Sequence, residues 1–233
     1  MSNDVHAAQL PPLEELDRDG AIQEAAERVD PTTRAAFLMK AGIGAGAVLG
    51  SGAVLGALPS IASAATIPAS DVAILNFALT LEYLEANFYA QAKGNNVGNG
   101  QQDLTAFINA VALHEAAHVN FLKKALGPKA VKQPKFDFKD AVTSQTKFAA
   151  TAQLLEDTGV MAYLGQAPNI KSKTVLKAAG SILPVEARHA SWIRDINSKF
   201  TGQNPLPAPS SFQAAKTKAQ ILAAVKATGF IVA

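Results

Sequence analysis

Residues 112–122 read ALHEAAHVNFL, and they contain His114-Glu115-Ala116-Ala117-His118. This is the H-E-x-x-H pattern in which two histidines grip one zinc ion and the glutamate acts as general base. The same letters hold a shorter phrase, Glu115-x-x-His118, which can supply part of a two-metal site inside a helical bundle. The two readings need different company. A peptidase needs a third zinc ligand and a substrate cleft, whereas a two-metal bundle needs the phrase again on another helix and a carboxylate from each of two more.

The rest of the chain supplies that second kind of company. After residue 64 there are five glutamates, Glu82, Glu85, Glu115, Glu156 and Glu186, and three histidines, His114, His118 and His189. Glu186-x-x-His189 repeats the phrase. Three residues along a helix place both side chains on one face, so each pair can bind one metal while Glu82 and Glu156, on the other two helices, bridge the pair. Oxygen-rich sites with one histidine per metal suit iron(II) or manganese(II). His114 points about 100° away from Glu115 on a helix of 3.6 residues per turn, off the ligand face. Glu85 lies 60° from Glu82 by the same geometry, and the pattern leaves it open as a further ligand, a supporting residue or a surface residue. Two tyrosines add a regularity. Tyr89 follows Glu82 by seven residues and Tyr163 follows Glu156 by seven, close to two turns, so each shares its glutamate's face. The chain therefore reads as two similar helix pairs arranged about a pseudo-twofold axis. The peptidase reading leaves Glu82, Glu156 and Glu186/His189 without a purpose.

Helical periodicity surrounds these residues. Ile74, Phe77, Leu81, Leu84 and Phe88 recur at helical spacing, predicting a helix over 70–92 with Ser70-Asp71 as its cap. GNNVGNG (94–100) is a turn rich in residues that tolerate left-handed backbone. A second helix is expected over 102–126, stopped by Gly127-Pro128. A third is expected over 144–164, and a fourth over 173–199 with a kink at Pro184. A shorter fifth is expected over 212–230. Gly159, one turn after Glu156, is expected to make room near the metals or for a neighbouring helix; Met161 and Trp192 read as core or boundary residues. The segment between the second and third helices, 127–142, is long enough to run the length of the bundle. The fold class is all-α: a four-helix bundle with a long crossover between helices 2 and 3.

Composition narrows the function. The 233-residue chain has no cysteine, which excludes disulfides, iron–sulfur clusters, thiolate zinc and a rubredoxin-type electron donor. Residues 1–64 carry eight acidic and four basic side chains; the remainder carries eleven and seventeen. The lysines at 123–147, 171–177 and 216–225 lack interleaved aromatics, so they read as solvated faces and no nucleic-acid partner is expected. Residues 1–40 form a polar segment of disordered character. Residues 41–64 are uncharged, dominated by glycine and alanine, and end in Ala62-Ser63-Ala64, a small-residue cleavage site. The stretch TRAAFLMK resembles a twin-arginine export signal with Ala35 in place of the second arginine. We expect a periplasmic or extracellular protein whose membrane contact, if residues 41–64 stay uncleaved, runs through that segment alone.

The sections LNFALTLEYLEANFYAQA, LHEAAHVNFL, LLEDTGVMAYLGQAP and ILPVEARHASW resemble the ferritin-like superfamily, in particular its exported branch related to plant desiccation-associated proteins. The resemblance covers residues 68–200, with 201–233 as a C-terminal extension. It implies a ferritin-like bundle with Glu82, Glu115, His118, Glu156, Glu186 and His189 as ligands of two iron or two manganese ions per chain. It also implies that Tyr89 and Tyr163 hydrogen-bond ligand carboxylates. With a histidine on each metal the site looks more like rubrerythrin, bacterioferritin or manganese catalase than a storage ferritin. Dioxygen or peroxide would be its co-reactant. The alternatives are a non-enzymatic bundle that sequesters metal or protects the cell envelope and, more remotely, the zinc peptidase. The sequence does not specify an oligomer.

Overall fold

The computed structural model describes residues 67–202 and 206–232. The expectations for residues 1–40 and 41–64 lie outside the described residues.

Four long helices dominate: α1 (Ala69–Gly94), α2 (Gln102–Leu126), α3 (Gln145–Gln166) and α4 (Lys173–Thr201). They pack chiefly as two hairpins, α1 against α2 and α3 against α4. Of the periodic apolar residues of α1, Phe77, Leu81, Leu84 and Phe88 are buried. In the turn before α2, Asn96 and Gly100 take the left-handed backbone that its composition predicted, with φ of 53° and 77°. Gly127 caps α2 at a φ of 53°, a conformation costly for a side chain with a Cβ.

The start of α1 corrects the expected cap. Its N-cap is Pro68, which has no side chain able to cap, and Asp71 is buried inside the first turn. The Asp71 carboxylate instead accepts from the backbone N–H groups of Lys171 and Ser172 at 2.8–3.2 Å. Those are donors at the mouth of α4, whose own cap is Ser172, so one buried acid ties the start of the first helix to the start of the fourth. Helix α4 continues through Pro184.

The crossover from α2 to α3 contains two 3₁₀ turns, Gly127–Lys129 and Lys139–Val142, and a two-residue strand, β1 (Lys135–Phe136). After α4 the chain returns to form α5 (Lys218–Thr228), shorter than the expected 212–230, and strand β2 (Ile231–Val232). β2 pairs antiparallel with β1, Lys135 opposite Val232 and Phe136 opposite Ile231. Thr217 and Gln220 form a reciprocal capping box at the start of α5. Ile221, Val225 and Phe230 enter the main core, so the C-terminal extension closes the crossover side of the bundle.

Two apolar clusters fill the interior. One is rich in aromatics and includes Phe88, Tyr89, Phe107, Phe138 and Phe148. The other is mainly aliphatic and includes Leu79, Leu122, Leu126, Val175, Ile182 and Tyr163. The acids and histidines lie between the helices that these clusters hold together. Among the described residues no helix is long and apolar enough to cross a membrane.

Candidate metal centre

Each of the four long helices brings a glutamate inward. Glu82 (α1), Glu115 (α2), Glu156 (α3) and Glu186 (α4) are all 0% exposed, and His189 is 2% exposed. Four carboxylates shut away from water need compensation, from protons or from cations. The six residues singled out in the sequence fall into two groups, Glu82, Glu115, His118 and Glu186, and Glu115, Glu156, Glu186 and His189. Within each group one ligand atom per residue lies within 4.8 Å of all the others.

The groups share Glu115 and Glu186, whereas Glu82 and Glu156, the carboxylates expected to bridge, belong to one group each. Glu115 presents Oε2 to His118 Nδ1 at 3.2 Å and Oε1 to His189 Nδ1 at 3.1 Å. Glu186 likewise presents Oε1 to His118 at 3.1 Å and Oε2 toward His189 at 4.0 Å. These glutamates sit on the same helices as the histidines, α2 and α4, which pack against each other, so each has a histidine to either side. Glu82 and Glu156 each reach one histidine, at 3.2 and 3.3 Å.

Several of these atoms come close without bonding. Glu115 Oε1, Glu156 Oε2, both oxygens of Glu186 and His189 Nδ1 are buried with no hydrogen-bond partner. Their separations are short, but their directions are wrong for one another. Lone pairs that converge on a common space suit a cation placed there, and buried polar atoms left without partners are otherwise costly. The donor set of carboxylate oxygens with one imidazole in each group fits iron or manganese.

The tyrosines bond across the bundle rather than along their own helices. Tyr89 of α1 donates to Glu156 Oε1 of α3, and Tyr163 of α3 donates to Glu82 Oε1 of α1. Each of these two carboxylates thus gives one oxygen to a tyrosine and turns the other toward a histidine. The crossed pairing is the pseudo-twofold relation made visible: exchanging α1 with α3 and α2 with α4 carries one group of four onto the other.

Glu85 is buried at 3% exposure and belongs to neither group. Burial, and then the charges of Glu186 and Glu156, push its carboxyl well above the ordinary carboxylate range. Gly159 faces it. A Cβ built on that glycine would lie 3.3 Å from Glu85 Oε1 and 3.4 Å from Glu186 Oε2. The missing side chain leaves space for two carboxylates. Trp192 is a boundary residue as expected, its ring edge-on to Phe107 with centroids 5.3 Å apart.

His114 is the residue whose place the sequence did not disclose. It joins neither group, which removes the two-histidine zinc site of the peptidase pattern. Its Nδ1 lies 2.8 Å from His189 Nε2, with the two rings within 11° of parallel and their centroids 5.1 Å apart. That arrangement is edge-to-edge, as a hydrogen bond in a shared ring plane requires. The signal was the position before Glu115, but the partner lies 75 residues away on another helix.

Burial dominates the protonation of the site. It raises Glu82 to about 7, aided by the Glu115 charge and opposed by His118. It raises Glu156 and drives Glu186 well above the ordinary range, with Glu115 adding to the effect on both. Burial would lower His189, but the carboxylates of Glu115 and Glu156 close beside it outweigh this and place it at about 10. His118 is raised against burial by the charge of Glu82 and by the nearby carboxylates of Glu115 and Glu186. Glu115 is held low despite burial because His118 bonds to it and both imidazoles stand close to its carboxylate. In the absence of a metal, protons on the two imidazoles supply the positive charge that the acids require.

A search of curated proteins finds no match to this chain. The family model for the ferritin-like domain matches residues 70–199, which spans all four long helices and every residue of the two groups. With the all-α bundle, the long crossover between α2 and α3, and the buried carboxylates and histidines, the chain belongs to the ferritin-like domain family.

Proposed function

We propose that this protein holds two iron or manganese ions in a dinuclear centre that reacts with dioxygen or hydrogen peroxide, in stress protection or metal handling. The observation that carries the reading is the pair of four-residue groups sharing Glu115 and Glu186. Such a metal pair supplies redox change and Lewis acidity. The chain's own residues do the rest. Glu115 and Glu186 each offer one oxygen to either side and so hold the two positions together. His118 and His189 complete one position each. Tyr89 and Tyr163 pin the outer carboxylates of Glu156 and Glu82 by one oxygen, leaving the other free to bind. Four carboxylates match the charge of two divalent ions. The apolar clusters on either side limit water, which strengthens every charge interaction within.

We further propose export, with a mature chain beginning near Ala65. The support is the uncharged stretch 41–64 and its Ala62-Ser63-Ala64 ending. Mass spectrometry of the native protein tests this, and an intact amino terminus in a cytosolic fraction would refute it.

Metal analysis of the natively isolated protein, followed by dioxygen and peroxide assays, tests the central reading. We expect two iron or manganese ions per chain and turnover with one of the oxidants. Two tightly held ions without turnover would make the protein a metal-sequestering or structural bundle. Zinc as the sole metal, at one per chain, would overturn the dinuclear reading.

A further inference from the structure

The ligand set is nearly symmetric, but two neighbouring residues break the symmetry. A shift of 74 residues carries Glu82 onto Glu156 and Tyr89 onto Tyr163; the same shift carries Glu85 onto Gly159. A shift of 71 residues carries Glu115 onto Glu186 and His118 onto His189; the same shift carries His114 onto Val185. An acid is thus matched by a glycine, and an imidazole by an aliphatic residue.

The histidine exception favours one position. His189 turns Nδ1 toward Glu115 and Glu156. If that nitrogen binds a metal, its lone pair must face inward and the ring proton must sit on Nε2. His114 Nδ1, 2.8 Å away, is placed to accept that proton's hydrogen bond. The bond fixes both the tautomer and the ring orientation and makes the imidazole a stronger ligand. His118 also turns Nδ1 inward, but Val185 offers no acceptor at the equivalent place. Among the described residues no hydrogen bond is formed by His118 Nε2. Glu85 lies over Gly159 beside Glu186, a residue common to both groups, so it does not choose between the positions.

We infer that the two metal positions are unequal: the one framed by Glu156 and His189 fills first and holds its ion more tightly, with His114 as its positioning residue. This rests on the dinuclear reading. The occupant is a single divalent cation of the iron or manganese class, and the position framed by Glu82 and His118 fills second.

The test is titration of the full-length, metal-free protein with manganese(II) by calorimetry, paired with anomalous diffraction from crystals given one equivalent. We expect two binding steps with dissociation constants at least about tenfold apart, since lost support of a ligating histidine costs about 10–100-fold. The first anomalous peak should lie between Glu156 and His189. His114→Ala should weaken the tighter step by about 10–100-fold and bring the two steps together. His114→Gln, which retains an acceptor oxygen, should restore part of the difference. Neither rescue nor filling order would follow from a merely structural role. Val185→His tests the idea without removing any existing contact of His114, and should tighten the weaker step. Two equal steps in the natural protein, or a first ion between Glu82 and His118, would overturn the inference and leave the dinuclear reading intact. Failure to bind two ions at all would overturn both.

Discussion

Tyr89 and Tyr163 make the same hydrogen bond from opposite sides of the site, yet they stand in different surroundings. Tyr89 is wholly buried among aromatic rings, with Phe88, Phe107 and Phe148 centred 5.3, 5.8 and 5.9 Å away. Phe138 and Phe230 extend that packing to the crossover and the C-terminal extension. Tyr163 sits in the aliphatic cluster instead, beside a recess of about 20 Å³ lined by Ala78, Leu81, Ala162 and Ala179. Chemistry is repeated between the two halves and packing is not. A ligand set needs only four inward helix faces at the right height, a requirement met by residue spacing. The shell around it has to fill whatever volume the connections leave. Since the crossover and the C-terminal extension occur once each, the shell cannot be symmetric.

The largest effect should come from removing what the halves share. Replacing Glu115 or Glu186 with Ala takes an oxygen ligand from both positions, so elemental analysis should find both ions lost. Glu82→Ala or Glu156→Ala should leave one ion per chain. If the outer pair empties the site while the shared pair leaves an ion behind, the geometry has been assigned the wrong way round.

Acidity should act on both halves together. Folded-state values lie above the ordinary ones for Glu82, from 4.5 to about 7, and for His189, from 6.5 to about 10. The metal-free fold therefore binds more protons than the unfolded chain, and its stability should fall as pH rises through these ranges. For His189 the contribution is complete below about 6.5 and is lost through about 10. Metal binding runs the other way, because the imidazoles must lose their protons to bind. The melting-temperature gap between manganese-loaded and metal-free protein should widen steadily from pH 6 to pH 9. A constant gap would mean that the histidines do not exchange protons for metal.

The crossed tyrosine bonds predict crossed effects. Tyr89→Phe should weaken binding at the Glu156 position and Tyr163→Phe at the Glu82 position, each by about 10–100-fold. Site-resolved occupancy by anomalous diffraction checks it; weakening on each tyrosine's own helix would refute the crossing.

Much of the site was legible because helical spacing is one-dimensional. Glu115/His118 and Glu186/His189 declare a shared face by their separation, and the four glutamates assign one to each helix. Gly127-Pro128 marked the end of α2 correctly. Which glutamates the two groups would share was not legible, because it depends on which helices pack side by side, and the chain does not record that directly. Tyr89 was read as lying on the face of Glu82, which it does, yet its hydroxyl reaches across to Glu156. The role of His114 depends on a residue of another helix, as does that of Asp71, whose partners Lys171 and Ser172 are about a hundred positions away. The β1–β2 pair is two residues long on each side, too short to leave a periodic pattern.

Two glycines of α3 separate packing from chemistry. At Gly165 an added Cβ would collide with the backbone carbonyl of Lys216, where the incoming extension is also held by Lys216 N–H to Met161 O at 3.2 Å. Backbone cannot swing aside, so Gly165→Ala should cost about 1–3 kcal/mol in denaturant unfolding. At Gly159 the neighbours are carboxylate ends, and alanine gains about 1 kcal/mol of helix propensity. Gly159→Ala should therefore leave stability nearly unchanged while weakening metal binding. Equal destabilisation by both would deny that Gly159 serves the acids.

The smallest effect concerns the ion pairs of α4. Arg194 bonds through one nitrogen to both oxygens of Asp157 on α3, inside one hairpin, and the two side chains are 18% and 21% exposed. Lys199 reaches Asp103 on α2, between hairpins, and those side chains are 54% and 62% exposed. Water and salt screen the second pair, and holding a long lysine in place costs side-chain entropy. The first pair is partly shielded, and hydrogen bonds to charged groups contribute about 1.5–3 kcal/mol. Arg194→Ala should accordingly lower the melting temperature measurably, whereas Lys199→Ala should not change it at physiological ionic strength. At low salt a slight loss should appear for Lys199→Ala and vanish as salt is added. If Lys199→Ala proves the more damaging of the two, the hairpins are joined through their surface charges, and the view that Asp71 and the shared glutamates join them from within must be abandoned.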